Sequence, residues 1–306
     1  MRAVVSLGTN TARLLVVRDL PGGEVAPVEH RQIGTRLGEG LRDSGALAAA
    51  AAYRTLAAVA EFAEVGRALG ASLSCIATSA LRRASDAADF AARVSEIVGE
   101  PLRVLPGDVE ARLSFLGATH GAPHDGTRTA VVDVGGGSTE CAVGRDRTLE
   151  AARSVEIGSV RVAERFPALC GAEPGAPARA AAAAARVEIA AALEPFADLA
   201  PVERVRCVAG TALTLGAVFY GKDVDEVSGV ALSRGDLDAT INRLLELPLA
   251  PRRGLPGMLP QRADILPAGG LVLSETLRLL DAKTCVLEAN DLLLGFLLTE
   301  RSAKAD

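Results

Sequence analysis

Two glycine-bearing turns, one in each half of the chain, limit what this sequence can fold into. The first lies in Val4-Val5-Ser6-Leu7-Gly8-Thr9-Asn10-Thr11-Ala12-Arg13-Leu14-Leu15, the second in Val131-Val132-Asp133-Val134-Gly135-Gly136-Gly137-Ser138-Thr139-Glu140. Each follows a short apolar, β-branched run and leads into another, which reads as strand, tight turn, strand. Glycine permits positive φ, so successive N–H groups can face one concavity and hold an anion. Two such turns predict two lobes that grip one phosphate-bearing ligand between them.

The rest of the chain is consistent with two lobes. Its 306 residues suit one large domain or two ordinary ones. Hydrophobic residues make up 49%, but aromatics only 3% and Trp none, so the cores are built from Ala, Val and Leu. No apolar run reaches the ~18 residues that span a bilayer, so no membrane partner is expected. Met1-Arg2-Ala3-Val4-Val5 enters a strand without a signal-peptide pattern, and a cytoplasmic location is the expectation. Cys75, Cys141, Cys170, Cys207 and Cys285 form no Cys-x-x-Cys pair and read as buried, reduced thiols. A net charge of −5 argues against nucleic acid as a partner. A local basic cleft could still take a polyanion.

Periodicity and punctuation give the order of elements. Strands are expected over 2–7, 12–18, 24–33, 73–77 and 102–105, with helices over 46–69 and 84–98 and a helical turn after Thr78 and Ser79. Asp108 caps a helix from Val109 to about Leu116. Residues 120–127 read as a linker, after which strands follow over 129–133, 138–143, 149–155, 205–208 and 284–288. Helices are expected from Pro177 to about Leu193, from Gly210, and over 234–246, 268–281 and 290–301. The order repeats, so the fold class is α/β with mixed sheets flanked by helices. Pro251-Arg252-Arg253-Gly254 reads as a solvated loop.

Several segments together resemble a known family. They are Leu7-Gly8-Thr9-Asn10-Thr11, Arg36-Leu37-Gly38-Glu39-Gly40-Leu41, Ala77-Thr78-Ser79-Ala80-Leu81-Arg82 and Gly107-Asp108-Val109-Glu110-Ala111-Arg112-Leu113. Asp133 to Glu140, Ala209-Gly210-Thr211 and Arg262-Ala263-Asp264-Ile265-Leu266-Pro267-Ala268-Gly269 complete the set. The chain resembles the exopolyphosphatase and guanosine-pentaphosphate phosphohydrolase (Ppx/GppA) family, in its short form. The resemblance implies two actin-like (ribonuclease H-like) lobes, here 1–120 and 121–306, with the active site in the cleft between them. It implies that the helix at about 290–301 packs back on the first lobe. It also implies removal of the terminal phosphate of inorganic polyphosphate or guanosine pentaphosphate, with Mg²⁺. Lobe surfaces in such folds often pair, so a homodimer is an expectation.

The resemblance also implies roles. Glu110 matches the position that activates water, and a carboxylate near a helix start can take that proton. Glu140 helps hold the water or the metal, and Asp133, ending a strand beside the glycine turn, is placed for Mg²⁺. Arg82 is aimed at the terminal phosphate as a bidentate partner. The anion cradle is the backbone of Gly8, Thr9, Asn10, Gly135, Gly136, Gly137 and Ser138, with hydroxyls of Thr9, Thr11, Ser138 and Thr139. Gly210 and Thr211 line the second-lobe pocket. The chain departs from the family pattern in three places. Ser6 stands where the pattern has Asp, Leu292-Leu293-Leu294-Gly295 where it has Leu-Arg-Glu-Gly, and Ala209 where it has a second Gly. These departures make a sensor of polyphosphorylated ligands, with little turnover, the alternative to an enzyme.

Overall fold

The computed structural model describes residues 1–21 and 24–302. The first sheet holds β1 (Arg2–Leu7), β2 (Thr11–Asp19), β3 (Val25–Gly34), β4 (Ser72–Ala77) and β5 (Leu102–Val104), in the order β3-β2-β1-β4-β5. The second holds β6 (Arg128–Val134), β7 (Thr139–Arg145), β8 (Thr148–Val155), β9 (Arg204–Val208), β10 (Ala231–Ser233) and β11 (Thr284–Leu287), in the order β10-β11-β9-β6-β7-β8. In each, the first three strands form an antiparallel meander and the fourth joins parallel to the first. Without the edge strand β10 the two sheets follow one path, which is the actin-like duplication.

The helices are α1 (Leu41–Ser44), α2 (Ala49–Ala68), α3 (Ser79–Arg83), α4 (Ala87–Val98), α5 (Gly107–Ala118) and α6 (Ser159–Arg165). They continue with α7 (Ala176–Ala192), α8 (Ala209–Tyr220), α9 (Arg234–Leu245), α10 (Leu249–Arg253), α11 (Leu266–Leu279) and α12 (Leu292–Ser302). None is long and apolar enough to cross a membrane among the described residues. The pieces that periodicity missed are α1, α6, α10 and β10, each too short to show a period. Helix α5 begins at Gly107 after an extended Pro106, so Asp108 sits inside the first turn and is not the cap.

Side chains alternate across each sheet, so each has two faces to cover. Helices α2 and α4 cover one face of the first sheet, burying Val59, Phe62, Phe90 and Val94 against Ala3, Val5 and Leu7. Helices α7, α8, α9 and α11 cover one face of the second. The other two faces are covered crosswise. Phe115 and Ala111 of α5, from the first half of the chain, pack on Val131, Ala142 and Val208 of the second sheet. Leu293, Leu294 and Leu297 of α12, from the second half, pack with Val4, Leu15, Val17 and Ile76 of the first. Leu293 and Leu294 are apolar because they sit in this hydrophobic cluster.

Helices α5 and α12 also cross each other at Gly117 and Gly295. A Cβ at Gly117 would lie 2.0 Å from the Asp291 carbonyl oxygen, and one at Gly295 would lie 1.9 Å from that of Leu113. The lobes are thus joined by a backbone-to-backbone contact that only glycine permits.

Arg252 overturns the solvated-loop reading. Its side chain is fully buried and donates to the carbonyls of Leu169, Ala263, Leu244 and Leu247. The guanidinium acts as a polar staple that satisfies loop and helix-end carbonyls no ladder reaches.

Candidate active site

Each glycine turn is a four-residue hairpin closed by its own backbone. Gly8 N donates to Thr11 O at 3.1 Å, and Gly135 N donates to Ser138 O at 3.0 Å. These two amides are therefore spent and drop out of the predicted cradle. The tip carbonyls are pulled outward. Gly38 N donates to Thr9 O, and Thr35 N and Arg36 N donate to Asn10 O. In the second hairpin Ser159 N takes Gly135 O and Val160 N takes Gly136 O, at the start of α6. A trans peptide points its N–H opposite to its C=O, so anchoring these carbonyls turns the amides of Asn10, Thr11, Gly136 and Gly137 inward. This explains the Arg36-Leu37-Gly38 motif: it fixes the first tip from behind.

The two tips meet. A Cβ on Gly137 would lie 2.6 Å from Thr9 Oγ1 and 2.6 Å from Ser79 Oγ, and one on Gly136 would lie 3.0 Å from Thr9 Cβ. Between them runs a cleft lined by Gly8, Thr9, Asn10, Thr11, Gly135, Gly136, Gly137, Ser138 and Gly210, with Ser6, Asp133 and Glu110. Thr139 and Thr211 are not part of it. Thr139 Oγ1 donates to Ile157 O at 2.6 Å, and Thr211 Oγ1 to Val134 O at 2.7 Å. Both hydroxyls are buried and already hold the second hairpin in place, which corrects the reading of Thr139 as a phosphate donor and of Thr211 as a pocket-lining residue.

The hairpins are also equivalent in register. Ser6 pairs with Arg13 across the first, and Asp133 with Glu140 across the second. Ser6 thus occupies in the first lobe the place that Asp133 takes in the second. Opposed residues share a sheet face, so Asp133 and Glu140 point to the same side, where α5 delivers Glu110. Asp133 accepts from Ser114 Oγ at 3.0 Å, and Glu140 accepts from Ser154 Oγ at 2.7 Å while its Oε2 is buried without a partner. Glu140 lies behind the cleft wall and does not line it.

Crowding in a dry place raises all three carboxyl pKa values. Burial, opposed by Arg82, lifts Glu110 to about 7. Burial and the neighbouring Asp291, opposed by Arg13, lift Asp133 to about 6. Burial, Glu110 and Asp133 push Glu140 well above the carboxylate range. Among the described residues no three carboxyls gather as a metal cluster, but Asp133 lines the cleft beside the hairpin tips, and a hard divalent cation takes one or two carboxylates and otherwise substrate phosphate and water.

Arg82 is not aimed freely at a phosphate. Its Nη1 donates to Glu110 Oε2 at 2.6 Å and to Leu105 O at 3.1 Å, and its Nη2 donates to Glu156 at 3.0 Å. In the structure it holds the candidate base and lies outside the cleft lining.

The Ppx/GppA phosphatase family model matches residues 15–291. The chain belongs to that family. Exopolyphosphatase 2 of Mycobacterium tuberculosis is 33% identical over 291 residues, covering 90% of this chain and 89% of that protein. The crystal structure of an exopolyphosphatase-like protein, 28% identical, superposes with a TM-score of 0.89 over 99% of both chains. An exopolyphosphatase from Cytophaga hutchinsonii, 22% identical, has the same fold at a TM-score of 0.88, covering 98% of this chain and 97% of that one.

Sequence reasoning missed two cleft cations of this Ppx/GppA chain. Arg13 pairs with Asp291, and Arg262 donates to Thr11 Oγ1 at 3.2 Å while its Nε is buried without a partner. Burial and the nearby Arg13 push the Arg262 pKa down to about 10. Arg262 also explains Gly210, because a Cβ there would lie 2.1 Å from the guanidinium. The available signal was an arginine at an inward position of an apolar strand, Arg13 in β2.

Ala209, the departure from a double glycine, has a φ of 63°. That left-handed conformation costs a non-glycine residue roughly 1–2 kcal/mol. Ala209→Gly should therefore raise unfolding free energy by about 1 kcal/mol in a denaturant titration, against the usual destabilising sign of Gly substitution.

Proposed function

We propose that this chain hydrolyses the terminal phosphoanhydride of inorganic polyphosphate or guanosine pentaphosphate. The observation that carries this is a single cleft lined by both hairpin tips and by Glu110. The inward amides and the Arg13 and Arg262 guanidiniums neutralise phosphate oxygens, which supplies much of the rate in phosphoryl transfer. Glu110 takes a proton from the attacking water as its oxygen bonds to phosphorus. The anhydride P–O bond breaks, and its electron pair leaves with the shortened chain or with guanosine tetraphosphate. Arg82 holds Glu110 in place and, against burial, favours its ionised form. Asp133, which lines the cleft, would hold Mg²⁺, which adds positive charge at the phosphates when bound.

The test is phosphate release from both substrates, with and without Mg²⁺. Release from at least one, dependent on Mg²⁺, is expected. Tight binding without release would favour the sensor reading, which rests on the neutral Ser6. Because Ser6 lines the cleft at the position equivalent to Asp133, Ser6→Asp should tighten Mg²⁺ binding about tenfold, since ligand charge sets affinity for hard cations. It should also lower the melting temperature without Mg²⁺, because it adds another crowded carboxylate. Calorimetry and thermal melts read both, and unchanged Mg²⁺ affinity would separate Ser6 from the metal.

A further inference from the structure

The edge of Arg82 that faces away from Glu110 belongs to a second polar assembly, which the chemistry above does not use. Glu156 stands in the bend between β8 and α6. Its carboxylate accepts from Ser79 Oγ at 2.9 Å and from Arg82 Nη2 at 3.0 Å, and it pairs with Arg161. Guanidiniums and a hydroxyl gathered around a pair of oxygens are the donor set that proteins use for phosphate. The Glu156 side chain is 41% exposed and lies on a loop, so it can leave without opening the core.

The donors exceed what Glu156 can satisfy. Arg161 Nε is buried without a partner. Arg42 and Arg83 line the same hollow beside Glu156 and Arg161, and neither has an ion pair among the described residues. Burial lowers the Arg161 pKa, and the Arg83 and Arg82 charges lower it further against the pull of Glu156. Arginine has thus collected locally in a chain of net charge −5.

We propose that Glu156 fills an anion seat formed by Ser79, Arg82 and Arg161, and that phosphate displaces it. The phosphate is either free inorganic phosphate or a group of the substrate beyond its reacting end. The second source rests on the phosphohydrolase reading; the seat itself does not. Because Arg82 holds Glu110 on one edge and the seat on the other, occupancy of the seat is felt at the candidate base.

The test is calorimetric binding of inorganic phosphate and of imidodiphosphate, in EDTA, to the full chain. Glu156→Gln removes the competing charge and should tighten binding about tenfold, the effect of roughly 1.4 kcal/mol. Arg161→Gln should weaken it by a similar factor. Ser79→Ala in the Glu156→Gln background should return most of the gain; it alters no charge, so a long-range field cannot mimic that result. A gain for both anions supports a free-phosphate seat, and a gain for imidodiphosphate alone supports a substrate seat. Unchanged or weaker binding of both by a Glu156→Gln protein that melts like wild type overturns the proposal, as does a gain that Ser79→Ala and Arg161→Gln leave intact. Binding needs no turnover, so the two readings fail separately. Phosphate release without the Glu156→Gln gain removes the seat and leaves the hydrolase; the gain without release does the reverse.

Discussion

Glu110→Gln is expected to lower kcat for phosphate release by about 10²–10⁴-fold, the usual worth of a positioned general base. Glutamine keeps the size of the side chain but cannot take a proton from water. Glu110 is 6% exposed, lines the cleft and is held by Arg82 at 2.6 Å, so its carboxylate is fixed at the place where a water would be activated. Its pKa of about 7 is where a base serves best near neutral pH. Wild-type kcat/KM should accordingly fall as pH drops below about 7, as Glu110 becomes protonated. Stability should move the other way. A carboxyl whose folded pKa is raised favours folding most below its unfolded value, and that contribution is lost as pH rises through the folded one. The melting temperature of wild type should therefore fall relative to Glu110→Gln as pH rises through about 7. Kinetics and melts on the same samples separate a lost base from a lost fold. Turnover unchanged in Glu110→Gln would remove this residue from the mechanism.

Gly117→Ala should destabilise the chain by about 3 kcal/mol or more, at the upper end of overpacking costs. The sign makes this prediction sharp. At an ordinary helical site, Gly to Ala stabilises by roughly 0.5–1 kcal/mol. Here the new methyl would meet the Asp291 carbonyl oxygen at 2.0 Å and the Gly295 nitrogen at 3.0 Å. These are backbone atoms and cannot rotate away, so α5 and α12 must separate. Helix α5 carries Glu110, and α12 covers the first sheet, so the cost falls on the lobe junction and the candidate base together. A denaturant titration reads the loss of stability, and kcat/KM on the folded fraction reads the loss of alignment. A stabilised Gly117→Ala protein would mean that the helices do not cross this closely.

Most strands could be read because they obey local rules. The runs before Gly8 and Gly135 are β-branched, and Gly70 and Gly99 end α2 and α4 where periodicity stops. The crosswise covering by α5 and α12 was less legible, because no local pattern states which sheet a helix will meet. The resemblance alone carried the placement of the last helix. Among residues of the candidate site, the hairpin tips and Glu110 could be picked out because turn chemistry and a family position mark them. Thr139 and Thr211 were misassigned because composition gives a hydroxyl but not its direction; both point to carbonyls. Gly8 and Gly135 were counted as donors although closing a four-residue turn consumes their amides. The buried placement of Arg13, Arg262 and Arg252 went unread for one reason. A buried arginine is set by partners far away in sequence, such as Asp291 for Arg13 and the Leu169 carbonyl for Arg252.

The most direct measurement is the crystal structure of Glu110→Gln with Mg²⁺ and tripolyphosphate bound. The account predicts the terminal phosphate between the hairpins, accepting from the amides of Asn10 or Thr11 on one side and Gly136 or Gly137 on the other. It also predicts the residue 110 side chain within hydrogen-bond reach of a water in line with the scissile bond. A phosphate held by one hairpin alone, or a residue 110 side chain facing away from it, would contradict the account.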